Sequence, residues 1–143
     1  MNRIVRLYMQ EEPITISPND NIENALQSCD KHHISHLLVE EKGKLIGIIS
    51  KHDLLNRLKS MVLQTAGKTY SNFVLKSLKV QDFMTENPVS VDPTDDIDYA
   101  IELLLQQQFH ILPVVNTDNE PIGVVTAIDL LKGYYHPDKN TND

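Results

Sequence analysis

A single cysteine, Cys29, stands among 143 residues. No disulfide can form within the chain, which fits a reducing compartment. There is no tryptophan, and aromatic residues make up only 6% of the chain; a surface that stacks successive nucleic-acid bases needs more. Basic residues are also short: 13 Lys and Arg stand against 20 Asp and Glu, a formal charge of −7. A general binder of phosphate backbone or of anionic membrane needs the opposite balance. No apolar run approaches the ~20 residues of a membrane span. The opening MNRIVRLYMQEE has no signal-peptide core. The expectation is therefore a cytoplasmic protein with no membrane partner. Gly-x-Ser-x-Gly, a Gly-rich phosphate loop and Cys-x-x-Cys are all missing, and with them the signatures of several enzyme classes. What is present, 41% hydrophobic and 23% charged residues, suffices for a packed core under a solvated surface.

The chain also contains an internal repeat. Met9 and Met84 lie 75 apart, and the same offset pairs Val5 with Val80, Glu11 with Glu86, Pro13 with Pro88 and Pro18 with Pro93. It continues through Asp20 and Asp95, Ile22 and Ile97, Ala25 and Ala100, Leu37 and Leu112, and Val39 and Val114. After one inserted residue the offset is 76, pairing Ile46-Gly47 with Ile122-Gly123 and Asp53-Leu54-Leu55 with Asp129-Leu130-Leu131. An ordered series with one gap is not chance: the chain is two copies of one supersecondary unit. The copies run over residues 1–60 and 80–136, with a partly helical linker at 61–79 and a polar, frayed tail at 137–143.

Each copy reads strand, helix, strand, strand, helix, an α+β fold of two βαββα repeats. Pro13-Ile14-Thr15-Ile16 and Pro88-Val89-Ser90-Val91 are short β-rich runs that end at a proline turn. A helix follows in each copy. Ile22, Ala25, Leu26 and Cys29 fall at i, i+3, i+4 and i+7, and so do Ile97, Ala100, Ile101 and Leu104. Asp20 and Glu23 have capping-box spacing at the start of the first of these helices. His36-Leu37-Leu38-Val39 and Ile111-Leu112-Pro113-Val114-Val115 then pair, as hairpins, with residues 45–49 and 121–125. A second helix opens at Ser50 or Thr126, both good N-caps. Residues 60–65 extend the first of these, Gly67 breaks it, and residues 70–78 form a further helical turn. Cys29, on an apolar helix face, is expected to pack rather than to act as a nucleophile.

Each copy resembles a cystathionine-β-synthase (CBS) domain. The first carries VRLYMQEEPITISPND, HLLV and GIISKHDLL; the second carries VQDFMTENPVSVDPTDD, ILPVV and GVVTAIDLL. The second matches the family pattern throughout, whereas the first has Gln10 in place of a Thr and Leu38 in place of a Pro. The resemblance implies two copies about a pseudo-twofold axis, a Bateman module, which commonly forms a homodimer. It also implies adenosyl ligands as regulatory cofactors: AMP, ADP, ATP or S-adenosylmethionine. Asp53 and Asp129 would be the ribose ligands, and Ser50 and Thr126 the hydroxyls on the phosphate side. The chemistry is sound, since a carboxylate accepts from both hydroxyls of a ribose cis-diol and a helix N-terminus favours phosphate. An acid in the first turn also simply complements the helix dipole, a plainer reading of both aspartates.

Lys51 and His52 sit in the first turn of a helix, where a cation opposes the macrodipole by roughly 0.3–1 kcal/mol. A bound polyphosphate would reverse that sign, whereas a Lys exposed to water would be nearly cost-free. The second copy has Ala127 and Ile128 there, so the two clefts should be unequal, with the Asp53 cleft better suited to phosphates. By resemblance, Val89, Ser90, Phe109, His110 and Pro113 would line the Asp53 cleft. Ile14, Thr15, Ile34, Ser35 and His36 would line the Asp129 cleft. His110 and His36 would face phosphates, or be ordinary surface or core histidines. A metal site at His32, His33 and His36 is not expected, because a helix end and a strand start divide them. The expected function is a non-enzymatic regulatory module that signals to a partner protein the sequence does not name. A ligand-free interaction scaffold is the alternative, and an RNA-binding CBS pair a weaker one, disfavoured by the net charge.

Overall fold

A computed structural model of the chain describes residues 3–64, 72–107 and 110–135. Gly67, Phe109 and the tail 137–143 lie outside the described residues. The chain divides into two compact units. One is continuous, Ile14–Pro88; the other is split, Met1–Pro13 with Val89–Asp143.

The continuous unit holds β2 (Thr15–Ile16), α1 (Ile22–His32), β3 (His36–Glu41), β4 (Lys44–Ser50), α2 (Lys51–Gln64), α3 (Asn72–Ser77) and β5 (Thr85–Glu86). Its sheet order is β2-β3-β4-β5, with β2 parallel to β3 and the other pairs antiparallel. The β3–β4 hairpin turns on Lys42 and Gly43, at φ 53 and 80; two positive φ angles make the type I′ turn that matches strand twist. The split unit holds β1 (Gln10–Glu11), α4 (Ile97–Gln107), β6 (Ile111–Val115), β7 (Pro121–Thr126) and α5 (Ala127–Tyr135). Its sheet order is β1-β7-β6, antiparallel throughout.

Among the described residues each core has nine buried hydrophobic residues, and they correspond one to one. Ile16, Ile22, Ala25, Cys29, Leu37, Val39, Ile49, Leu54 and Val80 fill the continuous unit. Val91, Ile97, Ala100, Leu104, Leu112, Val114, Val125, Leu130 and Val5 fill the split unit. The valine that opens each copy thus packs in the unit that holds the body of the other copy. Burial raises the pKa of the Cys29 thiol, so Cys29 packs as a small apolar residue.

The crossing places β1 beside β7 and β5 beside β4. It requires glycine at the contact. A Cβ on Gly47 would lie 2.6 Å from Met84 Sδ, and one on Gly123 would lie 2.8 Å from the Gln10 carbonyl oxygen.

Two local expectations shift. The N-cap of α1 is Asn21 rather than Asp20: Asn21 Oδ1 accepts from the Asn24 N–H at 2.8 Å. The carbonyl of Asp20 instead accepts from the Val80 N–H at 2.8 Å, a tertiary contact that fixes the helix start one residue later. Residues 88–91 are not a strand. Leu38 donates its N–H to the Ile14 carbonyl at 3.4 Å in the continuous unit, whereas its counterpart Pro113 has no N–H to give Val89, and only Val91 bridges, parallel to Val114. The matching run in the continuous unit forms only the two-residue β2.

Candidate functional site

In both units a strand runs directly into a helix, and the junction carries the Ser/Thr-x-x-Asp motif. Ser50 ends β4 and caps α2, its Oγ accepting from the Asp53 N–H at 3.3 Å. Thr126 ends β7 and caps α5, its Oγ1 accepting from the Asp129 N–H at 3.1 Å. Each hydroxyl satisfies an otherwise orphaned first-turn donor. The first N–H of each helix is satisfied by the residue just before the first strand of the hairpin. The Lys51 N–H donates to the Ser35 carbonyl at 2.8 Å, and the Ala127 N–H to the His110 carbonyl at 3.2 Å. Ser35 and His110 are therefore fixed beside their helix starts through their backbones.

The carboxylates differ. Asp129 Oδ2 accepts from the Thr126 N–H at 3.0 Å, which completes a reciprocal capping box. The same oxygen accepts from Gln10 Nε2 at 3.0 Å. Asp53 is exposed, and its carboxylate makes no hydrogen bond among the described residues. Two lone-pair-bearing oxygens face water on Asp53, while one oxygen of Asp129 is already doubly engaged.

Lys51 neither opposes the dipole alone nor stands free. Its Nζ donates to Asp30 Oδ1 at 2.5 Å, and that bond holds the ammonium pKa above its ordinary value. Asp30 lies in the last turn of α1, where its charge is unfavourable to the dipole, so each partner offsets the other's misplacement. At the corresponding positions the split unit has Ala127 and Leu105. Both members of the pair are replaced together. His52 Nε2 accepts from Asn56 Nδ2 at 3.1 Å, one helical turn on. Ser35 Oγ and His36 Nδ1 are 3.0 Å apart.

The structure groups the sequence-named residues by unit. Ser50, Lys51, His52 and Asp53 share the continuous unit with Ile14, Thr15, Ile34, Ser35 and His36; Thr126 and Asp129 share the split unit with Val89, Ser90, His110 and Pro113. Phe109 lies outside the described residues. Sequence reasoning noted Gln10 as a departure from the motif and gave it no role. Its signal was the offset: Gln10 stands where the other copy has Thr85. Asp30 carried a similar signal, as an acid matched by Leu105.

The comparisons agree with this architecture. The family model for the CBS domain matches residues 5–60 and 80–136. The chain belongs to the CBS domain family. CBSX2 of Arabidopsis thaliana, solved as a complex with AMP, is 26% identical at a TM-score of 0.74, over 94% of this chain and 97% of CBSX2. The CBS domain pair of MJ0100, solved with 5′-methylthioadenosine and S-adenosylmethionine, shares the fold at 24% identity and TM-score 0.72, over 92% and 98% of the two chains. Inosine-5′-monophosphate dehydrogenase of Korarchaeum cryptofilum is 31% identical over 130 residues, 91% of this chain and 24% of the dehydrogenase. The chain thus spans about a quarter of the length of the curated dehydrogenases it matches. No helix among the described residues is long and apolar enough to cross a membrane. No group of His, Cys, Asp and Glu among them could hold a metal ion.

Proposed function

We propose that this chain is a regulatory module that binds an adenosyl ligand at its Ser/Thr-x-x-Asp turns and passes binding on to a partner protein. The observation that carries this reading is the open Asp53 carboxylate, held in the first turn of α2 by the Ser50 cap. A ribose cis-diol has two donors, and Asp53 offers two acceptors with no competing partner among the described residues. The AMP complex of the related CBSX2 supports adenosine as the ligand class. AMP, ADP, ATP and S-adenosylmethionine all carry that ribose. A polyphosphate would be favoured further by the α2 dipole, and Lys51 would reach it by leaving Asp30.

In this reading the chain is not itself the enzyme. It corresponds to the quarter of a dehydrogenase that it matches. The ligand changes the output only as far as it binds two states of the module with different affinity.

A thermal-shift screen with AMP, ADP, ATP, S-adenosylmethionine and GTP names the ligand. Saturation at 100 times the dissociation constant raises stability by about 2.7 kcal/mol. Asp53→Ala should weaken binding of the selected ligand at least about tenfold, the loss of one or more charge-assisted hydrogen bonds. Unchanged affinity by calorimetry would remove the ribose assignment. A flat screen at millimolar ligand would favour a ligand-free scaffold.

Self-association belongs to the same reading. Ile128, Leu131 and Tyr135 form one stripe on α5 and are 60%, 63% and 83% exposed. A second copy of the chain would cover that stripe. Leu131→Glu should then shift a dimer towards monomer in analytical ultracentrifugation. A wild-type chain that sediments as a monomer at tens of micromolar would dismiss the homodimer.

A further inference from the structure

The two Ser/Thr-x-x-Asp turns have the same backbone frame. Gln10 pairs with Val124, two residues before the Thr126 cap. Thr85 pairs with Ile48, two residues before the Ser50 cap. Register is therefore equal in the two units, and the side chain at the matching position is what differs. The Gln10 amide reaches across to the first turn of α5 and donates to Asp129 Oδ2 at 3.0 Å. The Thr85 hydroxyl, two bonds shorter in reach, makes no hydrogen bond among the described residues.

The backbone under Gln10 is seated closely. Gly123 leaves no room for a Cβ, which would lie 2.8 Å from the Gln10 carbonyl oxygen. The Gln10 side chain is thus launched from a fixed point. Its target oxygen also accepts from the Thr126 N–H at 3.0 Å. A carboxylate oxygen has two lone pairs, so Asp129 Oδ2 is filled and only Oδ1 remains. A cis-diol that engages both oxygens of a carboxylate must displace the Gln10 amide from Asp129, but has nothing to displace from Asp53.

We infer that Gln10 sets the two turns apart: its amide holds Asp129, lowers the affinity of that turn for a ribose diol, and leaves Asp53 as the tighter site. The inference rests on the ribose-binding reading above and identifies the residue that makes the two sites unequal. Gln10 is a specificity-determining residue that acts through Asp129. Its role does not depend on Lys51 or on any phosphate.

The test is an NMR titration of the ¹⁵N-labelled full chain with AMP, following the amides of Asp53 and Asp129 as separate reporters. In the wild type the Asp53 turn should saturate first, at about tenfold lower AMP, the size of one charge-assisted hydrogen bond. Gln10→Thr should raise the affinity of the Asp129 turn by about that factor and leave the Asp53 turn unmoved. The reciprocal Thr85→Gln should weaken the Asp53 turn alone. It lies in the other unit, so it tests the idea even where Gln10→Thr perturbs β1. Equal saturation in the wild type, or an Asp129 turn indifferent to Gln10→Thr, would overturn the inference while the ribose reading stands. Failure of both turns to respond to AMP or any other adenosyl compound, together with an inert Asp53→Ala, would overturn the two together.

Discussion

In the split unit the Asp129 carboxylate accepts two hydrogen bonds on one oxygen; in the continuous unit the Asp53 carboxylate accepts none among the described residues. The helices that carry them differ in the same sense. Along α5 the outward positions are Ile128, Leu131 and Tyr135; the matching positions on α2 are His52, Leu55 and Lys59. Lys51 and Asp30 form an ion pair where the split unit has Ala127 and Leu105. The nine-residue cores, by contrast, are almost interchangeable. Duplication has kept the packing and let the surfaces part. One unit presents an open acid in the same helical turn as the Asp30-paired Lys51, and the other an occupied acid on an apolar helix. On the function proposed above, α2 would capture the ligand and α5 would carry the association.

The packing half of this comparison is tested most strongly at the two glycines. Gly123→Ala forces a Cβ against the Gln10 carbonyl at 2.8 Å, and backbone must move. Gly47→Ala meets Met84 Sδ at 2.6 Å first, with the Thr85 carbonyl at 3.1 Å. A methionine side chain yields more easily than a strand. Both substitutions overpack, at about 1–3 kcal/mol, and Gly123→Ala should be the costlier. Melting temperature reads this directly, at roughly 2–4 °C per kcal/mol for a domain of this size. The reverse order would mean that β5 is held more rigidly than β1, and the two crossings would not be equivalent.

Much of this was legible in the sequence. The offsets of 75 and 76 pair six of the nine core positions by identity, the helix periodicity supplies Cys29 with Leu104, and the matched strand runs hold Ile16 with Val91 and Ile49 with Val125. The Ser50 and Thr126 caps were readable because a hydroxyl three residues before an acid at a strand end has a local meaning. The crossing was not readable. Val5 and Val80 match each other at any arrangement of the units, and nothing local says which core receives which valine. The α1 cap at Asn21 was decided by the Val80 N–H, which takes the Asp20 carbonyl from 60 residues away. Lys51 was read as facing a phosphate or water because its partner, Asp30, is 21 residues distant and on another helix. Of the candidate site, the turns were legible and their long-range partners were not.

The smallest expected difference lies at the turn that precedes the first long helix of each unit. In the split unit Asp92 Oδ1 accepts from the Thr94 hydroxyl at 2.6 Å and the Thr94 N–H at 2.8 Å. In the continuous unit Ser17 Oγ takes that place and accepts from the Asn19 N–H at 3.2 Å. The Thr94 hydroxyl, with its N–H second, holds the Asp92 carboxyl below its ordinary value of 3.8. A carboxyl lowered in the folded state stabilises fully above its unfolded value, and that contribution is lost as pH falls through the lowered folded value. The Thr94 amide should therefore move in an NMR titration below pH 3.8, while the Asn19 amide, tied to a hydroxyl, holds still. Asp92→Ser should make the two turns alike and flatten the Thr94 response. If Asn19 moves together with Thr94 in the wild type, the acid response belongs to the whole fold. Asp92 would then not distinguish one unit from the other.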